Sequence, residues 1–442
     1  MTVAFFAERA RLDGTITLFL RQARWFVEHG DRVVFISGGG PLEAAFRVAG
    51  VVTYELRSVS PLVEASLEQA ERDRLVLRDI VREERIEALI ATGGRPFTLA
   101  ADAVSNDCRV VYAILSNDVF AQGEGVVSRV ADAAAASAIF ALTPLDARVH
   151  ATKFGINPNV IRVAPLPIDA PKFSAASERE MRRARLGIAK DERLILTAAR
   201  LDRDHAAYLY PLFESIAALR RVDPRVTLLV VGDGSEAESL RARTNPAIRF
   251  LGFRDDLAEL HGLADVFIGE GTSMLDAAAG GTPTIATMGQ ADPARADEAY
   301  GLLGIHIIGF VDWRRSSLIP GAPFASALEI GFEPEAAARI AEAGRATLSE
   351  FHALDRVMPW YRGFYFGLST AGMYDVPPPI VDVLRCAANE AELRKAALRL
   401  KNRPDIGLQV DADVSWRSFE SLEMWEREVL LNAEEMASVR VA

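Results

Sequence analysis

The sequence predicts an α/β protein of two doubly wound, mostly parallel-sheet domains with a helical extension at its C-terminal end. Three observations carry the prediction. Short β-branched or aromatic runs alternate with helical patterns. The alternation stops at a proline-rich break around Pro165 and then begins again. The length of 442 residues exceeds that of one ordinary domain.

The strand runs of the first half are "TVAFFA", "RVVFIS", "VVTYEL", "EALIAT", "RVVYAI" and "AIFALT". They are almost continuously apolar, as strands covered on both faces of a parallel sheet are. Between the first two, "TITLFLRQARWFVEHG" repeats its apolar positions at helical spacing and predicts a helix that stops at Gly30. "VAPLPIDAPKFSAASERE" holds Pro165, Pro167 and Pro171, follows Pro158, and predicts an interdomain linker. The pattern restarts with the strand runs "RLILTAAR", "VTLLVVGDG", "AIRFLGF", "ADVFIGE", "TPTIAT" and "GIHIIGF", with "YLYPLFESIAALRRV" and "RDDLAELHGLA" as helices between them. The expected domains are therefore 1–165 and 166–330. Helices over 331–370 have a path back to the first domain. An acidic helical extension over 371–442, interrupted near its start by "MYDVPPPIV", carries Trp416, Phe419 and Trp425 to cover a surface of the same chain or of a second copy.

Composition bounds the function. Half of the residues are hydrophobic and a quarter charged, enough for a large core and against disorder. A net charge of −11 argues against nucleic-acid binding, which needs a basic face, while leaving room for a local basic pocket. Only Cys108 and Cys386 are present, so no disulfide framework is expected and a reducing compartment is. The N-terminal run lacks the length and flanks of a signal peptide, and "AAAASAIFAL" is far shorter than the ~20 residues of a membrane span. The expectation is a cytoplasmic protein, with attachment to the inner face of a membrane compatible with it.

Ligands of open parallel sheets bind at the carboxyl ends of the strands, in the loops that lead to helices. In the second half, "AARLDRDH" places Arg200 at a strand end with Arg203 and His205 after it, and a guanidinium there suits a phosphate. An exposed loop charge is the plain alternative. "VVGDGSEAESL" follows the next strand through Gly232 and Gly234, a weaker sign because Gly-Asp-Gly is also an ordinary turn. "FIGEGTSMLDAAAGGTP" leaves a strand through Gly271, Thr272 and Ser273, whose amides and hydroxyls at a helix start suit a phosphate, while Asp276 can meet a ribose diol. Helix capping by Thr272 or Ser273 explains the same residues and is compatible with that role. In the first half, Gly14 and Thr15 head the first helix, and "ISGGG" and "ATGGR" follow later strands. Such loops in two tandem domains point to a cleft between them. No Asp-x-Asp motif stands at a strand end, so no metal is expected. His29, His150, His261, His306 and His352 are scattered as structural or exposed histidines are.

Taken together, these residues resemble a GT-B glycosyltransferase, a pair of Rossmann-like domains, and most closely the family 4 group, over roughly residues 2–365. "RLGIAKDERLILTAARLDRD", "LLVVGDGSEAESL" and "IRFLGFRDDLAELHGLADVFIGEGTSMLDAAAGGTPTIAT" follow in that family's order, and "VHATKFGINPNVIRVAPLPID" resembles its lead into the linker. The resemblance implies a nucleotide-sugar co-substrate and no cofactor. It places Arg200 on the donor diphosphate, Phe253 and Arg254 beside the base, Asp276 on the ribose, and Gly271, Thr272 and Ser273 by the diphosphate or sugar. Gly14 and Thr15 match the first-domain loop that closes over donor and acceptor. His205 replaces the family's lysine. Of its paired acids, Ile268 stands at the first position, with Glu270 close by and Asp276 at the second. Arg200, His205 and Glu270 are thus the catalytic candidates. The family's first-domain histidine is absent from "LSND", which leaves Arg95, Asn117 and Asp118 as acceptor-side candidates.

The function so implied is transfer of a sugar from a nucleotide sugar to a hydroxyl of a glycan, lipid-linked, protein or small-molecule acceptor, with retention and without a metal. Two alternatives stand beside it. One is a degenerate glycosyltransferase acting as a binding or scaffold subunit, and the other is a nucleotide-sugar epimerase of the same fold. A homo-oligomer through the C-terminal extension and the absence of nucleic-acid partners complete the expected partners.

Overall fold

In the computed structural model each half of the chain builds a seven-stranded sheet, and the two sheets share one strand order. The structure describes residues 1–373 apart from 12, 63–65, 105–107, 116–132, 143–146, 148–149, 151–155, 170–175, 203–204, 207, 255, 270, 288–297, 303–321 and 370–372. The predicted strand "GIHIIGF", the catalytic candidate Glu270, the acceptor candidates Asn117 and Asp118, and the extension beyond residue 373 with its tryptophans lie outside the described residues, as do Arg203 and His306.

The first sheet is formed by β1 (Thr2–Ala7), β2 (Arg32–Ser37), β3 (Val52–Glu55), β4 (Ala88–Thr92), β5 (Arg109–Ile114), β6 (Ala138–Ala141) and β7 (Ile161–Val163). Its order is β3-β2-β1-β4-β5-β6-β7, and every pairing is parallel. The second is formed by β8 (Arg193–Ala198), β9 (Val226–Val231), β10 (Ile248–Gly252), β11 (Val266–Gly269), β12 (Thr284–Thr287), β13 (Glu298–Leu302) and β14 (Ala322–Pro323). The order β10-β9-β8-β11-β12-β13-β14 repeats the first, except that β13 runs antiparallel to both of its neighbours. The two predicted doubly wound α/β domains are present. The apolar character of the runs has the expected cause: β1 and β9 are buried at every position.

The first helix, α1 (Gly14–Glu28), shows how local sequence fixes an element. Asp13 caps it, its carboxylate accepting the Ile16 amide at 2.9 Å. Ile16, Phe19, Ala23 and Phe26 recur at helical spacing and are buried. Further helices α2 (Glu43–Val48), α3 (Leu67–Glu83) and α4 (Arg95–Ala103) connect the strands of the first sheet.

After the linker come α5 (Ala176–Arg185), α6 (Leu209–Val222), α7 (Ala237–Arg241), α8 (Leu257–Leu263), α9 (Gly271–Ala279), α10 (Phe324–Phe332) and α11 (Pro334–Phe351). Arginines tie α5 to the second sheet. Arg179 donates to the Gly262 and Leu263 carbonyls at the end of α8 and to Asp265 at 2.7 Å, and buried Arg183 reaches the same carboxylate. Cations at a helix carboxyl end satisfy its open carbonyls and its dipole.

The chain divides into two units, described here each by itself. Among the described residues the first holds Met1–Pro167 and those from Leu354 onward, and the second holds Ile168–Ala353. The last described helix, α12 (Leu354–Tyr365), therefore belongs to the first unit. Its aromatic face packs on the first sheet, with Tyr361 edge-on to Phe140 at 5.3 Å and Tyr365 edge-on to Phe5 at 6.3 Å. Buried hydroxyls are satisfied: Tyr361 donates to the Ala164 and Pro165 carbonyls, and Tyr365 to Gln22 at 3.0 Å. Among the described residues no helix is long and apolar enough to cross a membrane.

Candidate active site

The parallel run β10-β9-β8-β11 puts the carboxyl ends of four strands on one edge of the second sheet. The second-half candidates with described positions follow those strands, whereas Gly14 and Thr15 belong to the first unit. The loop after β8 carries Arg200. It is held from below by the loop after β9: Ala199 donates to the Val231 carbonyl at 3.1 Å, Leu201 to the Asp233 carbonyl at 3.0 Å, and the Glu236 amide to the Leu201 carbonyl at 2.8 Å. Gly232, at φ 135°, has no room for a side chain, because an added Cβ would be driven into the Ala199 carbonyl oxygen. "VVGDG" therefore shapes the arginine loop.

Within that loop Arg200, Asp202 and His205 touch one another. Arg200 Nε lies 2.6 Å from Asp202 Oδ2, and His205 Nδ1 lies 2.6 Å from Asp202 Oδ1. The Arg200 Nη2 group faces the imidazole, 2.9 Å from Nδ1 and 2.8 Å from Nε2. Burial works to raise the Asp202 pKa, but the His205 hydrogen bond and the neighbouring cation outweigh it and hold the carboxyl below its ordinary value. Asp202 is the residue that sequence reasoning passed over. The available signal was an acid two positions after a strand-end arginine, which is also how an unremarkable charged loop reads.

Helix α9 begins at Gly271, whose φ of 66° suits glycine, directly after β11. Ser273 is the third residue of the helix, and its Oγ donates to the carbonyl of Ala198, the last residue of β8, at 3.1 Å. The start of α9 and the Arg200 loop thus meet at one strand end. Thr272 and Asp276 are half-buried on the same helix. Beyond β10, Phe253 is 52% exposed, and Arg254 is paired with Asp256, Nε to Oδ1 at 2.7 Å. That pairing depresses the Asp256 pKa.

The first unit repeats the arrangement. A cavity of about 240 Å³ opens at the carboxyl ends of β1, β4 and β5, lined by Glu8, Arg11, Asp13, Thr15, Tyr112 and His150 among others. The loop over it, Glu8–Ala10, is held by "ISGGG": Gly38 donates to Glu8 at 3.1 Å, Ala10 to Gly39 at 3.1 Å, and Leu42 to Ala10 at 2.9 Å. Arg11 pairs with Asp13 at 3.1 Å. Thr15 lines the cavity, whereas Gly14 stands exposed beside it. Arg95 heads α4 and donates to the Ser60 carbonyl at 2.8 Å. His150, read among the scattered histidines, is 1% exposed and lines the cavity. His29 stacks on Trp25 at 3.8 Å. His261 is buried edge-on to Phe267, its pKa pushed down to about 3 by burial. His352 is buried and its carbonyl accepts the Ile168 amide.

Residues 192–304 match the family model described as glycosyl transferases group 1. That stretch, which lies within the second unit, is similar to the glycosyl transferases group 1 family. Solved structures extend the likeness of fold to both units. HepE of Anabaena, solved in complex with UDP-glucose, aligns with a TM-score of 0.64 at 16% identity over 82% of this chain and 98% of its own. A glycosyltransferase from Rickettsia africae aligns with a TM-score of 0.62 at 13% identity, over 83% and 98%. WaaG, a glycosyltransferase involved in lipopolysaccharide biosynthesis, aligns with a TM-score of 0.55 at 17% identity, over 83% and 100%. No curated protein matches the chain in sequence. The fold is GT-B. In the matched stretch, the β8 loop and the start of α9 bring a guanidinium, an imidazole and helix amides to one strand edge, a set able to hold an anionic leaving group.

Proposed function

We propose that this glycosyltransferase moves a sugar from a nucleotide-sugar donor to a hydroxyl acceptor, with retention and without a metal. The observation that carries the reading is the Ser273–Ala198 hydrogen bond, which joins the amide end of α9 to the loop of Arg200 and His205. In this reading Arg200, His205 and the α9 amides stabilise the departing diphosphate as its charge develops. Asp276 holds the ribose diol, and Phe253 and Arg254 flank the base. Glu270 remains a candidate on the sugar side. The cavity of the first unit, with Thr15, Tyr112 and His150, receives the acceptor. The UDP-glucose complex of HepE supports a UDP-sugar as the first donor to assay.

The test is release of nucleoside diphosphate from a panel of nucleotide sugars by the wild type and Arg200→Ala, with and without chelator. Release by the wild type, lost in the variant and indifferent to chelator, is the expected result. Nucleotide binding with neither hydrolysis nor transfer would support a scaffold subunit instead. Loss of release on chelation, restored by magnesium, would overturn the metal-free assignment.

A further inference from the structure

The Arg200 guanidinium meets a carboxylate of its own loop. Asp202 reaches Arg200 Nε and His205 Nδ1 with its two oxygens, each at 2.6 Å, and Oδ1 also accepts the His205 amide at 3.1 Å. Both side chains assigned to the leaving group thus contact one internal anion. An incoming diphosphate that approaches Arg200 approaches Asp202 as well, and a like charge at that range is unfavourable when partly shielded from water. The side chains of Arg200 and Asp202 are 24% and 28% exposed, so solvent screens this repulsion only in part.

We propose that Asp202 is an internal counter-ion that sets the affinity of the β8 loop for the donor diphosphate, weakening it and so favouring release of the nucleoside diphosphate product. This rests on the assignment of that loop to the diphosphate. Asp202 acts through Arg200 and His205 and is a positioning and affinity-setting residue. Its amide isostere keeps the Oδ1 acceptor for the His205 backbone, removes the charge, and replaces the oxygen facing Arg200 with an amide donor, which frees the guanidinium.

The experiment measures binding of UDP, ADP and GDP by calorimetry to the wild type, Asp202→Asn, Asp202→Glu, Arg200→Ala and the double variant Arg200→Ala/Asp202→Asn. Asp202→Asn should bind its nucleotide roughly tenfold more tightly than the wild type, the scale expected for removing one like charge at short range. The gain should shrink in high salt, be absent from Asp202→Glu, and fall away in the Arg200→Ala background, as a coupled pair requires. Faster turnover at low donor concentration, with slower release of product, should accompany it. If the wild type binds and Arg200→Ala weakens binding, but Asp202→Asn is unchanged or weaker, Asp202 orients the cations and the counter-ion proposal is overturned alone. If neither the wild type nor Asp202→Asn binds any of the three nucleotides, the diphosphate assignment falls and takes this proposal with it.

Discussion

Gly232 lies directly beneath the carbonyl oxygen of Ala199, the residue that precedes Arg200, with no space between them for a side chain. Its φ of 135° is closed to other residues as well. Gly232→Ala should therefore destabilise the second unit by about 2–3 kcal/mol, through strain and displacement of the arginine loop together. Gly252, at φ 67° with open space around it, is the control: Gly252→Ala meets backbone strain alone and should cost about 1 kcal/mol. Chemical unfolding measures both. Equal losses would mean that the contact with Ala199 contributes nothing.

Asp276 sits half-buried in α9, about one turn past Ser273, which grips the β8 strand end, and its proposed partner is a ribose diol. Asp276→Asn should weaken a ribonucleotide about tenfold, the loss of one charge-assisted hydrogen bond, and weaken its 2′-deoxy analogue much less. Titrating UDP and 2′-deoxy-UDP against both proteins decides it. Equal losses would assign the carboxylate to the helix alone.

The fold and the site were legible in the sequence to different depths. Strands such as β1 and β9 could be read because burial on both faces demands an unbroken apolar run, and that demand is local. Arg200 could be read because it ends such a run. Asp202 could not, since whether Asp202 or Asp204 meets the guanidinium depends on how the loop turns, and no periodicity records that. The glycines of "ISGGG" and "VVGDG" were legible as turns, but their packing against the loop of the neighbouring strand follows from strand order, a tertiary fact. The pairing of Asp31 with Arg362, separated by 331 positions, lay beyond any local signal.

Tyr361 is fully buried and donates to the Ala164 and Pro165 carbonyls at 3.3 and 3.2 Å. Tyr361→Phe keeps the ring packing and leaves both acceptors without that donor. It should cost about 1–2 kcal/mol, the range for a buried polar group that loses its partner. Amide exchange should speed up in α12 ahead of the rest of the first unit. An unchanged stability would mean that water replaces the hydroxyl there.

Asp31 gives the pH dependence of the same helix. Its side chain is 2% exposed and receives Arg362 through Nε at 2.7 Å and Nη2 at 3.0 Å, with the Met1 amine at 3.2 Å. Burial works to raise the Asp31 pKa, but the hydrogen bonds and charges of the two cations prevail and hold it below the ordinary carboxylate value. Because the folded value is the lower one, ionised Asp31 contributes its full stability above the unfolded pKa of about 3.9, and the contribution is lost as pH falls from there through the folded value. Asp31→Asn should lower stability near neutral pH by about 1–2 kcal/mol, less than a fully buried pair because solvent reaches Arg362. Against urea, the gap between wild type and variant should hold from pH 7 to pH 5 and close as the medium becomes more acid than the usual carboxylate range. A gap that persists undiminished at pH 2 would show that the variant acts through packing and not through the charge of Asp31.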